Sequence, residues 1–263
     1  MPVDTIIFDL DDTLIYDEAS ADEAIRQVCR EAAGERLTDC ETFRQVIRRA
    51  ARERWYAAPQ REYVQRIGCS SWEGLWMEIR RADCAELEAL REWLPGYCRE
   101  TWSDGLRSVG IQDLSLAEEM TAAYSRNRRS MSALCEDAVP VLDSLHGRYR
   151  LGLLTNGQVD LQQDKIDLAG IRDYFDVIVV SGEIGVGKPD PYIFEYTLRR
   201  LGSDTTGAVM VGNSLRSDIA GANGVGLKAV WIKRGSIGSA SEAVPDATLT
   251  SLHDLAAVLD SFR

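Results

Sequence analysis

The chain has 263 residues, a formal net charge of -12, and 45% hydrophobic residues. That length can bury one large core or two modest ones. The negative charge argues against nucleic acid as a partner, because binding a phosphate backbone requires a cationic surface. No apolar run approaches the roughly 18 residues that a membrane helix requires, and the N-terminus shows no export pattern. We therefore expect no membrane partner and a cytoplasmic location, while the oligomeric state stays open.

The first predicted element is a short apolar strand that runs directly into acidic residues. Thr5 to Phe8 forms the strand, and Asp9, Asp11, Asp12 and Thr13 follow it. Asp9 and Asp11 are two positions apart, so on an extended backbone their side chains point to the same side. Two carboxylates at one strand end need a cation, a proton or both. Taken alone, the segment is equally compatible with an acidic turn that caps the next helix.

These residue types suit phosphoryl chemistry. A carboxylate such as Asp9 can attack phosphorus and form an acyl phosphate, which splits one difficult displacement into two easier ones. Asp11, close to an ionised neighbour, is placed to protonate the departing alcohol. A divalent cation, for which Mg2+ is the best candidate, would screen the anionic nucleophile from an anionic substrate, because it accepts carboxylate oxygens together with phosphate oxygens.

The long stretch from residue 16 to residue 134 contains no β-strand runs, and its apolar residues recur at helical spacing. This pattern predicts an inserted all-helical domain. Five of the six tryptophans lie in it. Trp72, Trp76 and Arg80 are four residues apart, which predicts one shared helical face. That face is either a wall against a substrate or ordinary core packing.

Arginines in the same stretch form a row at helical spacing and a separate cluster. Their members are Arg44, Arg48 and Arg52 in the row and Arg126, Arg128 and Arg129 in the cluster. Acidic residues are interspersed, so we expect mostly salt-bridged faces in contact with solvent. Arg128 is our candidate if this region also contacts an acidic substrate.

The six cysteines lie between positions 29 and 135, and no two are closer than 11 positions. Such spacing is unlike that of a zinc site. Without an export pattern, we expect reduced and mostly buried thiols rather than disulfides.

After position 137 strand-like runs alternate with helical stretches. The runs are Leu151–Leu154, Val177–Val180, Val209–Val211 and Ala229–Ile232. This alternation predicts an α/β fold with a doubly wound parallel sheet, in which ligands bind at the carboxyl ends of the strands.

Polar residues follow the first two of these later strands. Thr155, Asn156 and Gly157 offer a hydroxyl and successive backbone N–H groups, which can grip phosphate oxygens. Lys188 stands at a helix entrance, where it would neutralise phosphate or the ionised Asp9. Each group alone is also compatible with an ordinary surface turn.

The next strand is followed by Asn213 and, five residues later, Asp218. On its own Asp218 is more typical of an exposed helix residue. As a set, however, the four polar segments, in this order and each after a strand, resemble the haloacid dehalogenase-like hydrolase superfamily.

The resemblance implies a role for each matching residue. Asp9 would be the nucleophile and a metal ligand, Asp11 the acid and a metal ligand, Thr155, Asn156 and Gly157 the phosphate binders, Lys188 the stabilising cation, and Asn213 and Asp218 the remaining metal ligands. It also implies a core domain of residues 1–15 and 135–263 and a helical cap domain of residues 16–134. Such a cap would select the substrate.

One position departs from the family pattern. Many phosphatases of the family have Gly-Asp where this chain has Gly212-Asn213. Asn213 keeps a carbonyl oxygen but lacks the formal charge, so we expect a working but weaker Mg2+ site unless Asp218 moves inward. Dehalogenases of the family need no metal and also have Asn near this region, but they lack an acidic residue at the position of Asp11.

The chain has no lysine before Arg150. This excludes phosphonate cleavage through a cap lysine, because the Schiff base lacks its amine. The surroundings of the motifs most resemble nucleotidases and N-acylneuraminate-9-phosphatase-like members of the family. We therefore expect a Mg2+-dependent phosphatase of a small phosphorylated metabolite, with a phosphomutase, a metal-free dehalogenase or a non-catalytic phosphate-binding protein as alternatives.

Overall fold

The computed structural model describes residues 3–37, 39–131, 134–234 and 242–262. The chain divides into two compact units. Met1–Tyr16 together with Ala133–Arg263 forms one, called here the sheet unit, and Asp17–Ser132 forms the other, called here the helical unit. Their limits differ by one and two residues from those expected from the change in periodicity.

The sheet unit contains a six-stranded parallel sheet in the order β3-β2-β1-β4-β5-β6. The strands are β1 Thr5–Phe8, β2 Arg150–Thr155, β3 Val177–Val180, β4 Ala208–Gly212, β5 Lys228–Ile232 and β6 Ala247–Leu249. The predicted parallel α/β sheet is thus confirmed. The sequence did not indicate β6, because three residues are too few to show a strand pattern.

The central strand β1 is buried on both faces. Ile6 and Phe8 join one apolar cluster, which includes Leu142, whereas Ile7 joins the other, which includes Phe194. Because helices cover both faces of a parallel sheet, its strands are continuous apolar runs rather than alternating ones.

The strand register places the polar segments at one edge of the sheet. Phe8, the last residue of β1, lies opposite Leu153 of β2 and Val211 of β4. The chain segments that leave β1, β2 and β4 therefore emerge side by side at their carboxyl ends, where open α/β sheets bind ligands.

Six α-helices belong to the helical unit and six to the sheet unit in the described ranges, besides short 3-10 and π-helical segments. The first six are α1 Asp17–Val28, α2 Cys40–Tyr56, α3 Arg61–Arg66, α4 Ser71–Gly74, α5 Ala85–Ser108 and α6 Leu114–Ser130. The others are α7 Ala138–Leu145, α8 Val159–Ala169, α9 Ser181–Ile184, α10 Pro191–Leu201, α11 Ala220–Gly224 and α12 Leu255–Ser261. None of these helices is long and apolar enough to cross a membrane.

The helical face expected for Trp72, Trp76 and Arg80 does not form. Helix α4 ends at Gly74, so a four-residue spacing no longer brings these side chains to one side. The chain turns there because it packs against an indole: a Cβ on Gly74 would lie 2.3 Å from the ring of Trp55.

The arginine row on α2 is largely salt-bridged, as expected. Arg44 and Arg48 both pair with Asp22, and Arg48 also pairs with Glu18. In the cluster on α6, Arg128 is buried and lies 2.5 Å from Asp17. These charges are therefore neutralised within the helical unit.

The cysteine expectation was wrong for one pair. Cys29 and Cys40 form a disulfide that joins the turn after α1 to the start of α2. Their sequence separation is 11, and their Cα atoms lie 5.7 Å apart, within disulfide range. The other four cysteines are outside disulfide bonds.

Candidate active site

Asp9 follows β1 directly and its side chain is buried at the carboxyl edge of the sheet. Its Oδ1 accepts a hydrogen bond from the Lys188 ammonium at 2.6 Å, and its Oδ2 accepts one from the Thr13 hydroxyl at 3.1 Å. Burial, reinforced by the nearby charge of Asp218, raises the pKa of Asp9 from 3.8 to about 6, although Lys188 opposes that change.

Lys188 is buried between two carboxylates. Its Nζ lies 2.6 Å from Asp9 Oδ1 and 2.8 Å from Asp218 Oδ1, and it also donates to the carbonyl of Leu154 at 2.7 Å. Burial lowers the pKa of a lysine, but here the carboxylates of Asp218 and Asp9 outweigh burial and raise it above 10.5. Lys188 therefore stays charged at neutral pH.

Asp218 is fully buried rather than exposed on a helix. It lies in the turn Leu215–Ile219 between β4 and α11, and its Oδ2 accepts the backbone N–H of Ser214 at 2.9 Å. The carboxylate rests directly on Gly212, where a Cβ would lie 2.3 Å from Asp218 Oδ2. A glycine at the end of β4 is thus what lets Asp218 reach Lys188.

Asn156 ties two loops together. Its Oδ1 accepts from the backbone N–H of Lys188 at 2.8 Å, and its Nδ2 donates to the carbonyl of the same residue at 2.9 Å. The approach is so close that a Cβ on Gly187 would lie 2.7 Å from Asn156 Oδ1. The Asn156 side chain therefore positions Lys188, and the phosphate-binding role that the sequence suggested for its backbone N–H stays a prediction.

Gly157 makes a contact that the sequence did not indicate. Its N–H donates to the hydroxyl of Ser181 at 2.8 Å, and its part in phosphate binding stays a prediction. The hydroxyl of Thr155 remains the phosphate-binding candidate at this strand end.

Two residues of α8 that the sequence reading did not single out contact Asp11. Lys165 Nζ lies 2.8 Å from Asp11 Oδ1, and Gln162 Nε2 donates to Asp11 Oδ2 at 2.8 Å. Both side chains are buried. The available signal was their position: residues 162, 165, 166 and 169 share the buried face of α8, so two polar residues occupy a face that is otherwise apolar.

The charge balance fits a divalent cation. Asp9 and Asp218, both buried, share one ammonium, which leaves an excess of negative charge that the raised pKa of Asp9 reflects. Asn213 follows β4 directly, and its backbone carbonyl accepts a hydrogen bond from the Trp231 indole N–H at 2.8 Å. Carboxylate and amide oxygens are the donors that Mg2+ prefers.

A family model described as haloacid dehalogenase-like hydrolase matches residues 3–226. The chain belongs to this family. The matched range includes every segment that builds the site. The order of polar residues after successive strands is the pattern on which the resemblance to this family was based.

Relatives of this haloacid dehalogenase-like hydrolase include phosphatases. A phosphoserine phosphatase of Thermus thermophilus is 31% identical over 250 residues, which are 95% of this chain and 96% of that protein. The human N-acylneuraminate-9-phosphatase is 38% identical over 164 residues, or 61% of this chain and 66% of that protein. A solved phosphatase of the family from Thermococcus onnurineus is 26% identical and superposes with a TM-score of 0.55 over 98% of both chains. The protein is thus a phosphoric monoester hydrolase.

Proposed function

We propose that this hydrolase is a Mg2+-dependent phosphatase of a small phosphorylated metabolite and that it works through an aspartyl phosphate on Asp9. The supporting observation is the buried triad of Asp9, Lys188 and Asp218, in which one ammonium lies within 2.8 Å of both carboxylates. A carboxylate held at a strand end beside a fixed cation suits attack on a phosphoryl group.

The reaction proceeds in two displacements. An oxygen of Asp9 bonds to phosphorus while the bond from phosphorus to the substrate oxygen breaks, and Asp11 gives that oxygen a proton. Water then attacks phosphorus and passes a proton to Asp11, and the bond between phosphorus and Asp9 breaks. Both residues return to their starting states. Lys188 balances charge on Asp9 and the phosphoryl group throughout.

Asp9, Asp11, Asn213 and Asp218 would hold Mg2+. When bound, the ion would neutralise charge on the phosphoryl oxygens. Asp218 has each carboxylate oxygen engaged, by Lys188 and by the Ser214 N–H. Its contribution would therefore be chiefly the fixed negative charge, with Asn213 closer to the role of direct ligand.

We also propose that the helical unit, near the residues 16–134 expected from the sequence, is the cap that selects the organic part of the substrate. The named relatives act on phosphoserine and N-acylneuraminate 9-phosphate, which are both small and anionic. A panel of phosphorylated amino acids, sugar acids and nucleoside monophosphates is therefore the first set to screen.

The decisive experiment measures p-nitrophenyl phosphate hydrolysis with and without Mg2+. Wild type should require the metal, and Asp9→Asn should abolish turnover because the nucleophile is gone. Asp173→Asn, an exposed carboxylate on the sheet unit, is the matched control and should keep full activity. Acid-quenched enzyme should carry a phosphoryl group in wild type only.

Three results would contradict the proposal. These are full activity in Asp9→Asn, metal-independent turnover, and isomerised substrate without release of inorganic phosphate. The last would instead identify a mutase.

A further inference from the structure

Helix α8 presents two polar side chains to the site. Gln162 and Lys165 are three residues apart, so they lie on the same face of the helix, and both are almost completely buried beside Leu161, Ile166 and Ala169. Burying an amide and an ammonium is unfavourable unless each finds partners. Their partners are residues of the proposed chemistry.

Lys165 forms an ion pair with Asp11, the proposed acid. Its ammonium is 2.8 Å from Asp11 Oδ1. Lysine is uncommon in this chain, which has four, and the only other one with a comparably buried ammonium is Lys188 at Asp9. Each of the two proposed catalytic carboxylates therefore has its own buried lysine.

Gln162 contacts the end of β2 as well as Asp11. Its Nε2 donates to Asp11 Oδ2 and to Thr155 Oγ1, both at 2.8 Å, and it also contacts the carbonyl of Asn156. An amide has two N–H donors, so three acceptors compete for them. If Asp11 turns away to deliver its proton, Gln162 therefore keeps its hydrogen bonds to the β2 end.

The contact with Thr155 orients its hydroxyl. Because Thr155 Oγ1 accepts from Gln162, its own proton is directed to another acceptor. A phosphate oxygen is the acceptor that the proposed function supplies. Gln162 thus prepares Thr155 as a donor and holds Asp11 at the same time.

We propose that Gln162 and Lys165 are positioning residues with different duties: Lys165 fixes the carboxyl group of the acid Asp11, whereas Gln162 fixes both Asp11 and the phosphate-binding hydroxyl of Thr155. This inference rests on the proposed function. A purely structural ion pair is the competing account, but buried ion pairs are often replaceable by apolar residues without loss of stability.

The test compares two esters. An alkyl phosphate such as phosphoserine needs a proton on its leaving oxygen, whereas p-nitrophenyl phosphate releases a stable phenolate without one. In Lys165→Met, the single-turnover rate of alcohol release from the alkyl ester should fall by roughly 100-fold, as for loss of a general acid, while the single-turnover rate of p-nitrophenolate release, which needs no proton from Asp11, stays unchanged.

Gln162→Met should show the same dependence on the leaving group. In addition, the inhibition constant of inorganic phosphate should rise roughly tenfold, the equivalent of one hydrogen bond to a charged group, whereas Lys165→Met should leave it unchanged. Gln163→Leu is the matched control, since Gln163 is adjacent on α8 but bonds to Arg172. It should match wild type with both esters.

A double-mutant cycle completes the experiment. In an Asp11→Asn background, Lys165→Met should cause no further loss with either ester, because its effect passes through Asp11. Equal losses in the single-turnover release rate with both esters, or additive losses in that background, would overturn the inference. If Lys165→Met fails to fold, as thermal melts would reveal, Gln162→Met applies the same criterion. Loss of the proposed function itself would show separately, as Asp9-independent turnover in wild type.

Discussion

Asp9 and Asp218 share a single ammonium, and this arrangement controls how the site responds to protons and metal ions. The pKa of Asp9 is raised to about 6 by burial and by Asp218. Below that pH a proton on Asp9 neutralises the excess negative charge. Above that pH Asp9 is ionised, and a bound cation would neutralise the charge instead. Under the proposed function, protons and Mg2+ would therefore compete for the same carboxylate.

This competition predicts weaker Mg2+ binding in acid. Asp9 is mostly ionised at pH 7 and mostly protonated at pH 5, so the apparent affinity should fall about tenfold as the pH drops from 7 to 5. Isothermal titration calorimetry in two buffers of different ionisation enthalpy would count the protons released. In Asp9→Asn the pH dependence should disappear, and a flat affinity in wild type would contradict the assignment.

Asn213 provides a second prediction about the metal. Asn213→Asp adds a carboxylate beside the cluster, which should lower the Mg2+ concentration for half-maximal activity by about fivefold, from Coulomb attraction of about 1 kcal/mol in a water-like medium. Gln112→Glu, which adds the same charge on an exposed residue of the helical unit, is the control. Equal half-saturation in wild type and Asn213→Asp would remove the idea of a weakened metal site.

At the level of single residues, the sequence predicted which charged residues meet at the site but not the hydrogen bonds that hold them in place. Asp9 and Lys188 could be predicted to meet, because each follows a strand of one parallel sheet. The hydrogen bonds that Asn156 and Gly157 make to other protein groups could not be predicted, because they depend on the path of the loops around Lys188 and Ser181. Gln162 on α8 was missed because a polar side chain in an amphipathic helix is usually solvated.

Among elements, strands were easier to predict than helix ends. The β1 residues Thr5–Phe8 match the expected run, because a buried parallel strand is a continuous apolar segment. The face expected for Trp72 and Trp76 failed because α4 stops after four residues, and spacing alone does not show where a helix ends. Its end depends on the contact of Gly74 with Trp55.

The ion pair between α6 and the start of α1 gives a prediction about stability. Arg128 and Asp17 are both buried, so Arg128→Ala removes a cation from a buried ion pair and should lower the unfolding free energy by about 3–5 kcal/mol. Arg129→Ala is the control: its pair with Glu78 is partly exposed and should contribute less than about 1 kcal/mol. Urea unfolding followed by tryptophan fluorescence would report the difference, and similar losses in both variants would contradict it.

At the scale of the whole molecule, most predictions came from the net charge and from the periodicity of the apolar residues. The change from helical spacing to alternating strands indicated an inserted helical segment, and the structure contains two compact units, one of them Asp17–Ser132. The net charge of -12 still argues against nucleic acid, and that expectation stays a prediction. The Cys29–Cys40 disulfide could not be predicted from the sequence, because cysteine pairing depends on which residues the fold brings close together.

The position of β1 in the sheet has a consequence for biosynthesis. This strand precedes the other five in the chain, yet its two neighbours begin at Arg150 and Ala208, and Asp9 is separated from Lys188 by 179 positions. A chain that stops after α6 carries Asp9 and its partner Thr13 but lacks both Lys188 and Asp218. The buried charge cluster therefore forms only after synthesis has passed β4.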